Sequence, residues 1–192
     1  MQIELSKIQN LLDWLKTKIY LDTISANAIK RVVRRREVYK CNFGIGIGSE
    51  IQKERPCIIV QNNTRNSCSG NVIVIPISHT NKKISCIVPI ESREDKEGHI
   101  ILDGYANVSN LMCVSKARLG SYIATISKEE MKNIDMELFS TLDLFDYYKQ
   151  LKRQLTDKEK YILNLKNQLI ELKQITNTDS YENLKKKILE KI

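Results

Sequence analysis

No apolar run in this sequence approaches the roughly 20 residues that a helix needs to cross a bilayer. Its first 25 residues mix charge with apolar positions and build no secretory leader. A soluble cytoplasmic protein is the expectation. Histidine is scarce, two in 192 residues, and the five cysteines show no CxxC spacing. A zinc centre is therefore not expected. Cys41, Cys57, Cys86 and Cys113 fall in or beside strand-like apolar runs, where a reduced thiol packs as a small hydrophobe. A chain of 192 residues has room for one ordinary core with helical appendages, and two full domains would be cramped.

Charge is present but unevenly placed. Lys and Arg against Asp and Glu number 9 to 4 over residues 1–40, 11 to 11 over 41–142, and 11 to 8 over 143–192. The net charge of +8 thus belongs to the two ends. A neutral central segment cannot hold a polyanion by its bulk field, so binding there would need a few placed cations in a groove. The one dense basic cluster is KRVVRRR, Lys30 to Arg36, which reads equally as a solvated linker or as a nucleic-acid contact.

Three patterns follow one another along the chain. Ile8, Leu11, Leu12, Leu15 and Ile19 recur at helical spacing, predicting an amphipathic helix over 3–31 with a break near Thr23 to Ser25. From Glu37 to about Gly120 the periodicity changes to short apolar runs: EVYKCNFG, CIIVQ, NVIVIPIS, ISCIVPI, GHIILDGYANV and LMCVSKARLG. Five or six strands with no crossover helix between them predict an α+β protein built on a small antiparallel barrel. Ser127 with Glu130 forms a capping signal for a closing helix. Beyond it Tyr148, Leu151, Leu155, Ile162, Leu165, Leu169 and Leu172 keep three- and four-residue spacing, with Lys158 in the seam. That stripe suits a coiled coil between chains or a hairpin against the first helix. The expected division is a helical arm, 1–34, a barrel with closing helix, 35–142, and a helical extension, 143–192.

The stretch from Gly48 to Ser78 carries the chemistry. Arg-Pro opens the first strand, Ser closes the second, and a polar loop joins them, so folding can bring Arg55 and Ser78 to one rim. A guanidinium beside a hydroxyl suits a phosphate.

Gly48-Ser49-Glu50, Arg55-Pro56, the run IIVQNN, Ser69 and the strand Val72 to Ser78 together resemble the MazF/PemK family of toxin ribonucleases. The similarity covers about Val38 to about Gly120. It implies an SH3-like barrel with flanking helices, and a type II toxin that cuts single-stranded RNA without a metal or other cofactor. The implied products are a 2′,3′-cyclic phosphate and a free 5′-hydroxyl. The family's cleavage residues fall on Arg55 and Ser78, and RNA contacts on Ser49, Gln61, Asn62, Ser69 and Thr80. A cognate antitoxin and a homodimer are the implied partners. Glu50 either orients Arg55 or is an exposed loop acid. Asn62 and its neighbour Asn63 either read bases or close a turn. His79 is an auxiliary acid–base candidate, but if the strand runs through Ser78 and His79, the two face opposite ways and His79 is a surface residue. Two departures stand out: Arg36 occupies a position where the family usually has Gly, and Asn110-Leu111-Met112 replaces Gln-Ile-Arg. The alternative is a non-catalytic barrel that binds a protein target, as gyrase-poisoning toxins do with a similar fold, or one that regulates through its helical arms.

Overall fold

The computed structural model describes residues 4–79, 86–176 and 180–190. The chain divides into two compact units, residues 1–142 and 143–192. Among the described residues, seven strands make up the sheet: β1 (Glu37–Asn42), β2 (Glu54–Ile59), β3 (Asn71–Ser78), β4 (Ile87–Glu94), β5 (Ile100–Asn107), β6 (Met112–Ser115) and β7 (Leu119–Thr125). Their order is β4-β5-β3-β2-β1-β7, with β6 also on β3, and every pairing is antiparallel. This is the expected curled α+β barrel sheet with flanking helices. The extra strand arises because LMCVSKARLG does not run straight. The Ala117 N–H donates to the Ser115 hydroxyl at 3.2 Å, and a 3₁₀ turn at Lys116–Arg118 separates β6 from β7.

Strand alternation sends side chains into two cores. Ile75 and Ile77 join Val38, Ile58 and Leu102 on one face, while Val72 and Val74 join Cys41, Cys57 and Ile59 on the other. Helix α3 (Lys128–Thr141) closes the first core with Met131 and Ile134. Its start is fixed by the predicted capping box: the Glu130 N–H donates to Ser127, and the Ser127 N–H donates back to the Glu130 carboxylate. That carboxylate also accepts from Arg93 and from the Glu91 N–H. Burial alone would raise its pKa, but these bonds prevail and hold Glu130 below the usual carboxylate range.

Helix α1 (Leu5–Ala28) runs unbroken through Thr23 to Ser25, against expectation. The Thr23 hydroxyl donates to the Tyr20 carbonyl and the Ser25 hydroxyl to the Asp22 carbonyl, both at 2.7 Å, so these side chains bond back into the helix. None of α1 is fully buried. Trp14 anchors it, packed on the Arg118 guanidinium at 5.3 Å and over Gly44, where a Cβ would sit 2.3 Å from the indole.

The basic cluster serves intramolecular contacts. Arg31 donates to the Leu119 and Gly120 carbonyls and lies 4.9 Å from the centre of the Tyr39 ring, Arg35 pairs with Asp135, and Arg36 Nε donates to the Ile126 carbonyl at 2.9 Å. Arg31 thereby joins the segment after α1 to β7, while Arg35 and Arg36 brace the entry to β1 against α3 and the residue that follows β7. Beneath the cluster, the buried Lys116 donates to the Asn66 carbonyl at 2.7 Å, and burial lowers its pKa.

In the second unit, α4 (Phe145–Thr176) precedes α5 (Tyr181–Leu189). Lys187 reaches back to the Thr176 carbonyl at 2.6 Å. No residue of α4 is buried, and its apolar stripe is exposed at Tyr148, Leu151, Leu155, Ile162, Leu165 and Leu172. Among the described residues, no helix is long and apolar enough to cross a membrane.

Candidate active site

A proline marks where the central strands part. The β2–β3 ladder runs from Ile59 opposite Val74 to Cys57 opposite Pro76. Pro76 has no N–H to continue it, and β3 then pairs with β5, Ile77 opposite Ala106 and Ser78 opposite Tyr105. The β2–β3 ladder ends at Cys57 and Pro76, two residues short of Arg55 on β2 and of Ser78 on β3. Arg55 shares its parity with Cys57 and Ile59, and Ser78 with Val74 and Pro76, so both belong to the same sheet face.

The two groups are held differently. Ser78 is 9% exposed at the very end of β3. Arg55 is half-buried, and its Nε donates to the Gln52 carbonyl at 3.1 Å. Among the described residues, its terminal nitrogens take no hydrogen bond or ion pair. They form an open planar fork for an anion.

His79 follows the strand's last residue, so alternation does not set its direction. Its Nε2 lies 2.7 Å from Asp103 Oδ1. Asp103 was not found by sequence reasoning. Its signal was the Asp-Gly pair inside a strand, because a strand glycine marks close backbone approach. Gly104 is such a glycine: at φ 108°, a Cβ there would come within 2.8 Å of the Ser78 carbonyl oxygen.

Other anticipated residues serve local structure. The Glu50 carboxylate accepts from the Ile47 N–H at 2.9 Å and closes its own loop; the Ser49 beside it is exposed. The polar loop after β2 contains a short helix, α2 (Asn63–Cys68), which Asn62 caps by accepting from the Arg65 N–H at 2.9 Å. Gln61 donates to the Asn71 carbonyl at 3.4 Å, and Ser69 accepts from the Asn71 N–H at 3.0 Å. Gln61, Asn62 and Ser69 thus lie where β2 ends and β3 begins. Thr80 lies outside the described residues.

The thiols divide by burial. Cys41 and Cys57 are buried, whereas Cys113 is exposed and Cys86 half-buried. The bond to Cys41 and burial push the Cys57 thiol up, which keeps it unreactive. Asp95, Glu97 and His99 cluster in the β4–β5 turn, but Asp95 Oδ1 is engaged by the N–H groups of Glu97 and His99.

A curled antiparallel sheet closed by a capped helix defines a small barrel of the α+β class. Residues 34–142, more than half of the chain, match the family described as PemK-like, MazF-like toxin of type II toxin-antitoxin system, and the chain belongs to that family. Endoribonuclease MazF1 of Mycobacterium bovis is 28% identical over 110 residues, covering 57% of this chain and 92% of the relative. Endoribonuclease MazF4 of Mycobacterium tuberculosis gives the same figures. Among solved structures, MazF from Deinococcus radiodurans shares the fold at 16% identity and a TM-score of 0.52, covering 59% of this chain and 98% of that one.

Proposed function

We propose that this chain is a toxin endoribonuclease of a type II toxin–antitoxin system that cuts single-stranded mRNA at selected sequences in the cytoplasm. The family match supports the class, and the curated relatives carry the same activity in their names. The observation that supports the site assignment is strand parity: Arg55 has that of Cys57 and Ile59 on β2, and Ser78 that of Val74 and Pro76 on β3. Cleavage proceeds by attack of the neighbouring 2′-hydroxyl on phosphorus, which leaves a 2′,3′-cyclic phosphate and a 5′-hydroxyl. Because the nucleophile comes from the substrate, no metal-bound water is required. The crowded phosphorane carries the extra charge, and fixed donors aimed at it give the largest rate gain. The Arg55 fork supplies two such donors and the Ser78 hydroxyl a third. Arg55 acts by charge, since a guanidinium is not deprotonated at physiological pH.

The working unit is a homodimer restrained by a cognate antitoxin. Residues 35–142 perform the chemistry, residues 1–34 act as a helical arm, and residues 143–192 as an extension whose exposed stripe on α4 suits another helix. Incubation with a defined RNA in EDTA, with mapping of the new ends, tests the reading. The parent is expected to cut, and Arg55→Ala and Ser78→Ala to lose at least a hundredfold in rate. An inert parent, or equal cutting by all three, would overturn it.

A further inference from the structure

Arg55 and Ser78 stabilise charge but leave the proton of the 2′-hydroxyl without a carrier. An imidazole is the side chain best matched to that task near neutral pH. His79 stands next to Ser78, and its position follows from backbone geometry. Gly104 lets β5 pass close beneath the Ser78 carbonyl, which brings Asp103 beside the ring. Tyr105 pairs with Ser78 across the ladder, and Asp103 has the same parity as Tyr105 on β5. All three therefore belong to the sheet face that also carries Arg55.

His79, Asp103 and Tyr105 line a cavity of about 240 Å³ with Pro89, Ile90 and Gly104. Among the described residues, the titratable groups facing the ring come from β5, namely Asp103 and Tyr105, while β4 contributes only Pro89 and Ile90. A carboxylate only accepts hydrogen bonds, so Nε2 must donate to Asp103, and the neutral ring then carries its lone pair on Nδ1. The imidazole is 74% exposed, which leaves that second nitrogen open to a substrate.

We propose that His79, oriented by Asp103, is the proton carrier in RNA cleavage; the assignment rests on the nuclease reading above. Nδ1 takes the 2′-hydroxyl proton as the O2′–P bond forms. The P–O5′ bond breaks with its electron pair on O5′, which takes a proton from water, and the imidazolium returns its proton to the hydroxide left behind. Asp103 is a positioning residue: it fixes the tautomer and stabilises the transient imidazolium.

The full-length chain is assayed on a short RNA across the neutral range, with binding followed separately on a non-cleavable 2′-deoxy analogue. The expected result is a parent rate that rises through neutrality. His79→Ala and His79→Gln should lose a hundredfold or more in kcat, flatten that rise and keep the analogue affinity within threefold. Added imidazole should partly restore His79→Ala. Asp103→Asn should lower kcat about tenfold at unchanged KM and displace the rise, which a purely structural role would not do. If the parent cuts and both His79 variants cut within threefold of it with the same pH profile, the proton-carrier assignment falls while the nuclease reading stands. If the parent does not cut, both fall.

Discussion

Gly104 and Ser78 are in contact through the backbone: a Cβ on Gly104 would lie 2.8 Å from the Ser78 carbonyl oxygen, and the φ of 108° is one that side-chain-bearing residues rarely adopt. Gly104→Ala is therefore expected to combine backbone strain with a clash, costing about 2–4 kcal/mol. Because the strand end that carries Ser78 must shift, RNA cleavage should fall at least tenfold at temperatures where the variant is still folded. Denaturant melts beside initial rates check both effects. Parent-like stability would show that β5 does not constrain the rim.

Arg36 tests a different backbone constraint. It adopts φ 81°, the left-handed conformation natural to the Gly usual in the family, and its side chain donates to the Ile126 carbonyl at 2.9 Å. The strain of a left-handed non-glycine residue, about 1–2 kcal/mol, is of the same size as one hydrogen bond. Arg36→Gly should thus leave stability within about 1 kcal/mol of the parent. Arg36→Ala keeps the strain and loses the bond, so it should be less stable than either. Urea melts of the three proteins decide it.

These two residues also show what the sequence could and could not disclose. Alternation and Arg-Pro punctuation made β1, β2 and β3 readable, because strand period and proline act locally. The capping box at Ser127 and Glu130 was readable for the same reason. Asp103 was not, because its approach to His79 depends on which strand pairs with the end of β3, a choice made 24 residues away in the chain. The left-handed Arg36 was hidden by its side chain, since nothing in an arginine signals positive φ. Gln61, Asn62 and Ser69 belong to the resemblance, yet here their side chains meet backbone around α2, chemistry that turn residues perform irrespective of ligand. The KRVVRRR cluster allowed two readings because charge alone does not reveal that carbonyls of β7 and the Asp135 carboxylate lie within reach.

Removing residues 143–192 should leave the barrel folded. Every buried residue of both cores lies between Val33 and Ile134. The expected midpoint of thermal unfolding stays within about 3 °C of the parent, below the shift expected for losing 1 kcal/mol from a domain of this size. A collapse in stability would mean that the second unit shares the barrel's core. Sedimentation of the same truncated chain reports whether the exposed α4 stripe contributes to assembly.

Acid should find the weakness at Glu130. Its folded pKa is depressed, whereas an unfolded glutamate titrates near about 4.3, so the unfolded chain takes up the proton first as pH falls. The stabilisation from this carboxylate is therefore complete above the unfolded value and is lost as pH drops through the folded one. Glu130→Gln keeps the size but gives up the charge that Arg93 and the N–H groups of Glu91 and Ser127 address. It should cost about 1–3 kcal/mol at neutral pH and show a shallower stability loss between about pH 5 and about pH 3 than the parent. Urea melts at several pH values measure both slopes. Parallel slopes for parent and variant would remove Glu130 from the acid response and leave it only a packing role at the start of α3.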